Sequence, residues 1–137
     1  KEKLFTQPFH KIEEIEKHDE LINNWEWFKS FRGDVLKLIE DERARGNIGS
    51  SLEATVNISA SIDIITKLKS LNMKLSDLFI TSDVNFTETK GESIITISKT
   101  ENIKCERCWK RCKTVLKIKD SDLCSRCRNV LEELKAV

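Results

Sequence analysis

The chain contains Cys105-Glu106-Arg107-Cys108 and, after 15 intervening residues, Cys124-Ser125-Arg126-Cys127. Nothing else in its 137 residues restricts the fold as tightly. A C-x2-C turn aims two thiolates at one point, and two such turns complete a tetrahedron, which is the spacing of a four-thiolate zinc site. All five cysteines, Cys112 included, fall in the last third of the chain. An odd number gathered into C-x2-C pairs, with no secretion signal ahead, favours metal binding in a reducing cytoplasm over a disulfide framework. A module of about 35 residues has too little core to fold unaided, so a metal supplies what burial does not. Cys105, Cys108, Cys124 and Cys127 are therefore the expected ligands of one structural Zn²⁺ per chain. Four thiolates leave no position open for a reacting water. Cys112 is either a spare thiol or a competitor of Cys108 for the metal.

The residues around these thiols are of the types that grip nucleic acid. From Lys104 to Lys119 there are seven basic residues (Lys104, Arg107, Lys110, Arg111, Lys113, Lys117, Lys119) against one acid, Glu106. The whole chain has a net charge of only +1, so this stripe is local. A local basic stripe is a better nucleic-acid signal than global charge. Trp109 directly follows a ligand and offers a stacking platform for an unpaired base, worth ~1–3 kcal/mol; its other reading is a lid over the metal core. Arg107, Trp109, Lys110, Arg111, Lys113, Arg126 and Arg128 are the candidate nucleic-acid-binding residues, for RNA or DNA. Lys29, Arg32, Arg43 and Arg45 could extend the patch, although an exposed helix face is usually only solvated. His10 and His18 stand apart from the cysteines. No Ser/His/Asp pattern, dinucleotide fingerprint or His-x-Glu signature appears. Gly49-Ser50-Ser51 is no phosphate loop, because no Lys-Ser/Thr follows it. No apolar run approaches the ~18–20 residues needed to span a bilayer.

Periodicity gives an α+β chain. Leu4–Phe9 reads as extended, with Pro8 biasing Gln7 away from helix, and Lys11–Ile22 allows a short helix. Asn23 or Asn24 can cap a long helix from about Trp25 to Arg45, with Phe28, Phe31, Val35, Leu38 and Ile39 on one face. Trp25 and Trp27 at its start read as packing residues, and Gly46 as its C′ residue. A helix of this length points to a helical bundle. Leu52–Ser59 alternates as a half-buried strand. A helix follows from Ser61 or Asp63 to about Leu71, with a further helical turn over Met73–Asp77. Strands follow over Leu78–Phe86 and Ser93–Thr100, giving a β-α-β-β unit. Asn129–Ala136 reads as a short helix.

Longer strings carry a resemblance. Phe31-Arg32-Gly33-Asp34-Val35-Leu36-Lys37-Leu38-Ile39-Glu40, Ala44-Arg45 and Ile48-Gly49-Ser50-Ser51-Leu52-Glu53-Ala54, together with Lys104-Cys105-Glu106-Arg107-Cys108-Trp109 and Leu123-Cys124-Ser125-Arg126-Cys127, resemble the C-terminal part of bacterial-type isoleucyl-tRNA synthetases. The chain departs from that pattern at Lys110-Arg111-Cys112, where many members have His and a longer loop, and at Ser125, where glycine is usual. The resemblance implies three parts: the end of an anticodon-binding helical domain (1–50), a small α/β unit (51–101) and a zinc finger (102–137). It implies a class I parent enzyme that activates isoleucine with ATP and esterifies it to tRNA. The ATP-binding signatures of that family are absent here, so the piece itself should hold no catalytic site. Its implied partners are the anticodon stem-loop side of isoleucine tRNA, reached by Arg107 and Trp109, and upstream domains of the same enzyme. The expected state is a cytoplasmic monomer. A stand-alone zinc-finger adaptor for nucleic acid is the alternative.

Overall fold

The computed structural model describes residues 18–118 and 121–135. The extended reading around Pro8, and His10, Lys119 and Ala136, lie outside the described residues.

The first element, α1 (Asp19–Ala44), starts earlier than its sequence suggests, with His18 at its N-cap. Asn23 and Asn24 do not cap it; they lie inside it. Asp19 and Glu20 sit in the first turn, where acids complement the helix dipole, and an interior Asn costs too little to stop a helix. At its C-terminus Gly46, φ +78°, takes the left-handed C′ position. Gly46 N–H donates to Arg43 O and Asn47 N–H to Glu42 O, the paired bonds of a Schellman ending.

A 3₁₀ turn (Ser51–Glu53) leads into β1 (Ala54–Ala60), then α2 (Ile62–Lys69), the single turn α3 (Leu75–Leu78), β2 (Asp83–Glu88) and β3 (Ile94–Lys99). The β-α-β-β reading holds, but β2 begins five residues later than Leu78, because residues 78–82 turn around the end of α3. The strands are ordered β2-β1-β3, with β1 parallel to β2 and antiparallel to β3. Val56 pairs with Val84 on one side and Ile97 on the other, so the apolar alternation of all three strands falls on one face. On the opposite face Asn85 Nδ2 donates to Asn57 Oδ1 at 3.0 Å, and Asn57 Nδ2 to Ser98 Oγ at 3.0 Å.

The apolar face is covered by the helices. Phe28, Val35 and Ile39 of α1 are buried with Val56, Ile58, Leu68 and Phe79 in one cluster. Phe28 stacks on Phe79 with ring centroids 5.8 Å apart, and Trp25 meets Phe28 edge-on at 5.5 Å. Trp25 and Trp27 are thus half-buried packing residues. Of the expected face, Leu38 stays outside the cluster and Leu36 joins it. The core runs continuously across residue 50, so α1 finds its apolar partner in this sheet.

The cysteine module follows. Its two-stranded sheet, β4 (Leu116–Ile118) and β5 (Ser121–Leu123), is antiparallel, with Leu116 opposite Leu123. The last helix, α4 (Ser125–Lys135), begins four residues before the expected Asn129. The second C-x2-C therefore belongs to a helix start and not to a free turn.

Candidate metal centre and the basic surface around it

The first cysteine pair sits on a closed loop. Lys104 and Arg111 bridge across its base, and Cys105 N–H donates to Lys110 O at 2.8 Å. The tip returns through Trp109 N–H to Cys105 O, 2.8 Å. The second pair is set by α4: Cys124 immediately precedes it and Cys127 lies in its first turn. Helix N-terminal N–H groups favour thiolates there. Glu106 N–H donates to Asp122 O at 2.9 Å, tying the two halves together.

These elements bring the Sγ atoms of Cys105, Cys108, Cys124 and Cys127 within 4.8 Å of one another. Cys108 and Cys124 Sγ are 3.9 Å apart. Thiolates around one zinc at ~2.3 Å would lie about 3.8 Å apart, so the donor set fits such an ion in size and chemistry. Three of the four thiols are buried and Cys108 is half-buried. Burial raises the Cys105 thiol, but the N–H groups of Cys108, Cys124 and Arg107 outweigh it together and hold its pKa down to about 6. Cys108 is pushed up to about 12, first by burial and then by sharing hydrogen bonds with the other thiols. Arg107 Nη1 lies 3.7 Å from Cys127 Sγ, bringing a positive charge to the cluster. Cys112 is outside this group. Its Sγ lies 4.0 Å from Lys110 O, and burial raises its pKa.

The basic residues divide into two sets. Trp109 is 61% exposed, with the Lys104 ammonium 5.1 Å from its ring centroid; the indole does not seal the metal core. Lys104, Arg107, Lys113 and Arg126 are exposed. Lys110 and Arg111 are instead drawn against the sheet unit. Lys110 Nζ pairs with Asp77 and reaches Ser76 Oγ at 3.4 Å. Arg111 Nη2 pairs with Glu53 Oε1 at 2.9 Å, and Arg111 N–H donates to Ser82 Oγ at 2.8 Å. Arg128 is half-buried and, among the described residues, its Nε has no hydrogen-bond partner. The long helix contributes little free charge: Arg43 and Arg45 pair with Glu40 and Glu42. Arg32 Nε donates to Leu78 O at 2.7 Å, while Lys29 is exposed.

Glu53, Asp77 and Ser82 escape a sequence reading that weighs only cations and thiols. Glu53 is the hinge of the arrangement. Its carboxylate accepts from Gly49 N–H at 3.0 Å and from Arg111, with Lys99 Nζ at 3.7 Å. Ser82 Oγ also donates to Leu52 O at 2.5 Å. The Ile-Gly-Ser-Ser-Leu-Glu string thus folds so that one acid joins the end of α1, the sheet and the cysteine module. The signal was an acid at the end of a Gly-Ser-Ser turn, facing an excess of base elsewhere.

No protein-family model matches the chain. Individual relatives do, among them enzymes of the aminoacyl-tRNA synthetase class. Within that class the chain corresponds to the C-terminal part of isoleucine–tRNA ligase sequences. It is 34% identical over 127 residues to the isoleucine–tRNA ligase of Cupriavidus pinatubonensis, covering 90% of this chain and 13% of that protein. Against the enzyme of Bordetella avium it is 34% identical over 125 residues, 90% of this chain and 13% of the relative. Against that of Nitrosomonas europaea it is 40% identical over 111 residues, 78% and 12% respectively. The chain therefore spans only 12–13% of the length of these curated relatives. Among the described residues no helix is long and apolar enough to cross a membrane.

Proposed function

We propose that this chain is the tRNA-binding C-terminal portion of an isoleucine–tRNA ligase, acting in the cytoplasm as part of a monomeric enzyme. In this reading it holds the anticodon-arm side of isoleucine tRNA while other domains of the enzyme carry out ATP-dependent aminoacylation. Residues 1–50 end the anticodon-binding helical domain, 51–101 form the connecting α/β unit, and 102–137 are a zinc finger. Cys105, Cys108, Cys124 and Cys127 would hold one Zn²⁺, whose chemistry is structural: it fixes the loop at 105–110 against α4. The observation that carries the reading is the exposed Trp109, with Lys104 over its ring, in a chain matched to these ligases over 127 residues. A stand-alone finger would share similarity over its module alone.

The RNA-facing set is Trp109, Arg107, Lys113 and Arg126, with Lys104 beside them. Lys110, Arg111 and Arg128 were candidates by charge. The first two spend that charge on Asp77 and Glu53, and we assign them to positioning the module. Exposed cations that neutralise phosphates make affinity fall with salt. The test is a titration of the 137-residue chain with isoleucine tRNA and a non-cognate tRNA at several salt concentrations. Binding that weakens with salt is expected, and Trp109→Ala should weaken it roughly 5- to 100-fold with the fold intact. No binding at low salt would overturn the reading.

A further inference from the structure

The seam between the sheet unit and the cysteine module contains a groove of about 320 Å³, lined by Ser50, Leu52, Ile80, Lys104, Trp109 and Arg111 among others. That is the lower end of the range for small-ligand sites, ~300–1,000 Å³. Two of its residues, Ile80 at φ +58° and Trp109 at φ +65°, have left-handed backbones. Among the described residues the one other non-glycine case is Asn72, a type that tolerates this region. A β-branched residue there is an outlier, because its Cβ crowds the neighbouring carbonyl.

The position of Ile80 explains the conformation but not the residue. Thr81 N–H donates to Ser76 O and Ile80 N–H to Asp77 O, so Ile80 is the C′ residue of a Schellman ending on α3. The same chain ends α1 in the same way with Gly46, the residue such a position favours. Burial does not account for the choice. Phe79 beside it is fully buried, whereas Ile80 is 53% exposed. A strained, half-exposed aliphatic side chain therefore stands in the groove that also holds the exposed Trp109. Strain of this kind collects at ligand-binding sites.

We infer that Ile80 is a second apolar contact for a single unpaired RNA base stacked on Trp109, supplied by the sheet unit and not by the cysteine module. This rests on the RNA-binding reading above. The occupant follows from the lining: an aromatic face, an aliphatic contact and a cation, Lys104, suit a base with its phosphate. Glu53 adds no uncompensated negative charge, since Arg111 and Lys99 meet it. Among the described residues Lys104 is in no ion pair, leaving its charge for the ligand.

The test compares the parent chain with Ile80→Gly, Ile80→Asn, Trp109→Ala and the double variant Ile80→Gly/Trp109→Ala. The probes are the isoleucine tRNA anticodon stem-loop and a fully paired RNA duplex of equal length. Ile80→Gly should raise the melting temperature by a few degrees, because it relieves strain and removes a largely exposed side chain. It should weaken hairpin binding about 3- to 10-fold, the loss of one partial aliphatic contact, and its effect should shrink in the Trp109→Ala background. Duplex binding should not change. Hairpin affinity within about twofold of the parent for both Ile80 variants, while Trp109→Ala weakens it, would overturn this inference and leave the broader reading standing. Equal losses on hairpin and duplex would also overturn it, since the contact would not be to an unpaired base. So would a lower melting temperature in both variants, which would make Ile80 a packing residue. Absence of hairpin binding by the parent at low salt would overturn both readings.

Discussion

The sheet unit and the cysteine module lie side by side but are held together by different means. In the sheet unit Phe28, Val35, Ile39, Val56, Ile58, Leu68 and Phe79 bury apolar surface on one another, and a few small hydroxyl residues such as Thr81 and Ser82 are buried beside them. In the module the buried cluster is Cys105, Val115, Cys124 and Cys127, so three of its four members are thiols. Burial of that little apolar surface does not repay the ordering of a chain segment this long. The sheet unit can thus fold by its core, while the module depends on whatever binds its thiols. The residues that fold the module are also the framework that presents Arg107 and Trp109. In the sheet unit, packing residues and surface residues are separate sets.

The sharpest break of this comparison is removal of the thiol site. Chelation, or Cys105→Ser, should unfold residues 104–135 and leave α1 and the three-stranded sheet intact. Structural zinc binding in small modules is worth about 10–16 kcal/mol, far more than the module's apolar burial provides. Amide exchange separates the outcomes: protection should vanish in the module and persist at Val56 and Ile58. Cys112→Ser should leave metal content unchanged, because Cys112 lies outside the cluster of four. A chelated chain that keeps its module protected would show that packing alone suffices there.

The opposite break is Phe79→Ala. Phe79 is fully buried and stacks on Phe28 while packing near Phe31 at 6.3 Å. Truncating it should cost the sheet unit about 3–5 kcal/mol, measured by urea unfolding followed through Trp25 and Trp27. Metal content should stay at the parent level in conditions where the variant is still folded. Loss of metal in step with the sheet would mean that the two units fold as one.

Much of this contrast was legible beforehand. The cysteine spacing named all four clustered thiols, because metal-ligand geometry is local and survives any packing around it. Strand alternation and Gly46 were legible for the same reason. What escaped was set at a distance. The start of α1 was misplaced because Asn23-Asn24 resembles a cap when Asp19 and Glu20 are not weighed. The β4–β5 pair was missed because three residues per strand show no period. Lys110 and Arg111 read as free cations in the sequence because their acids, Asp77 and Glu53, lie 33 and 58 residues away. Charge counting sees a cation but not the partner that the fold places beside it.

The smallest effect should come from that partner. Glu53→Gln removes the acid that joins the two units without touching either core. A partly exposed ion pair is worth at most about 1 kcal/mol, so global stability should barely move. The seam should respond more, because the Arg111 N–H bond to Ser82 Oγ depends on the docked module. Exchange of the Arg111 amide should rise in the variant at neutral pH while metal content stays constant. Acid supplies a second check. The Gly49 N–H, and then the Arg111 guanidinium, hold the Glu53 carboxyl below its ordinary value of 4.5. A depressed carboxylate stabilises the folded form above its unfolded value and loses that contribution as pH falls through its folded value. The exchange difference between parent and variant should therefore close as pH drops below about 4.5. If the proposed function holds, Glu53→Gln should also weaken RNA binding slightly, although it removes a negative charge beside the basic surface. Stronger binding in the variant would mean that Glu53 acts on RNA by charge alone, and that the two units need no lock between them.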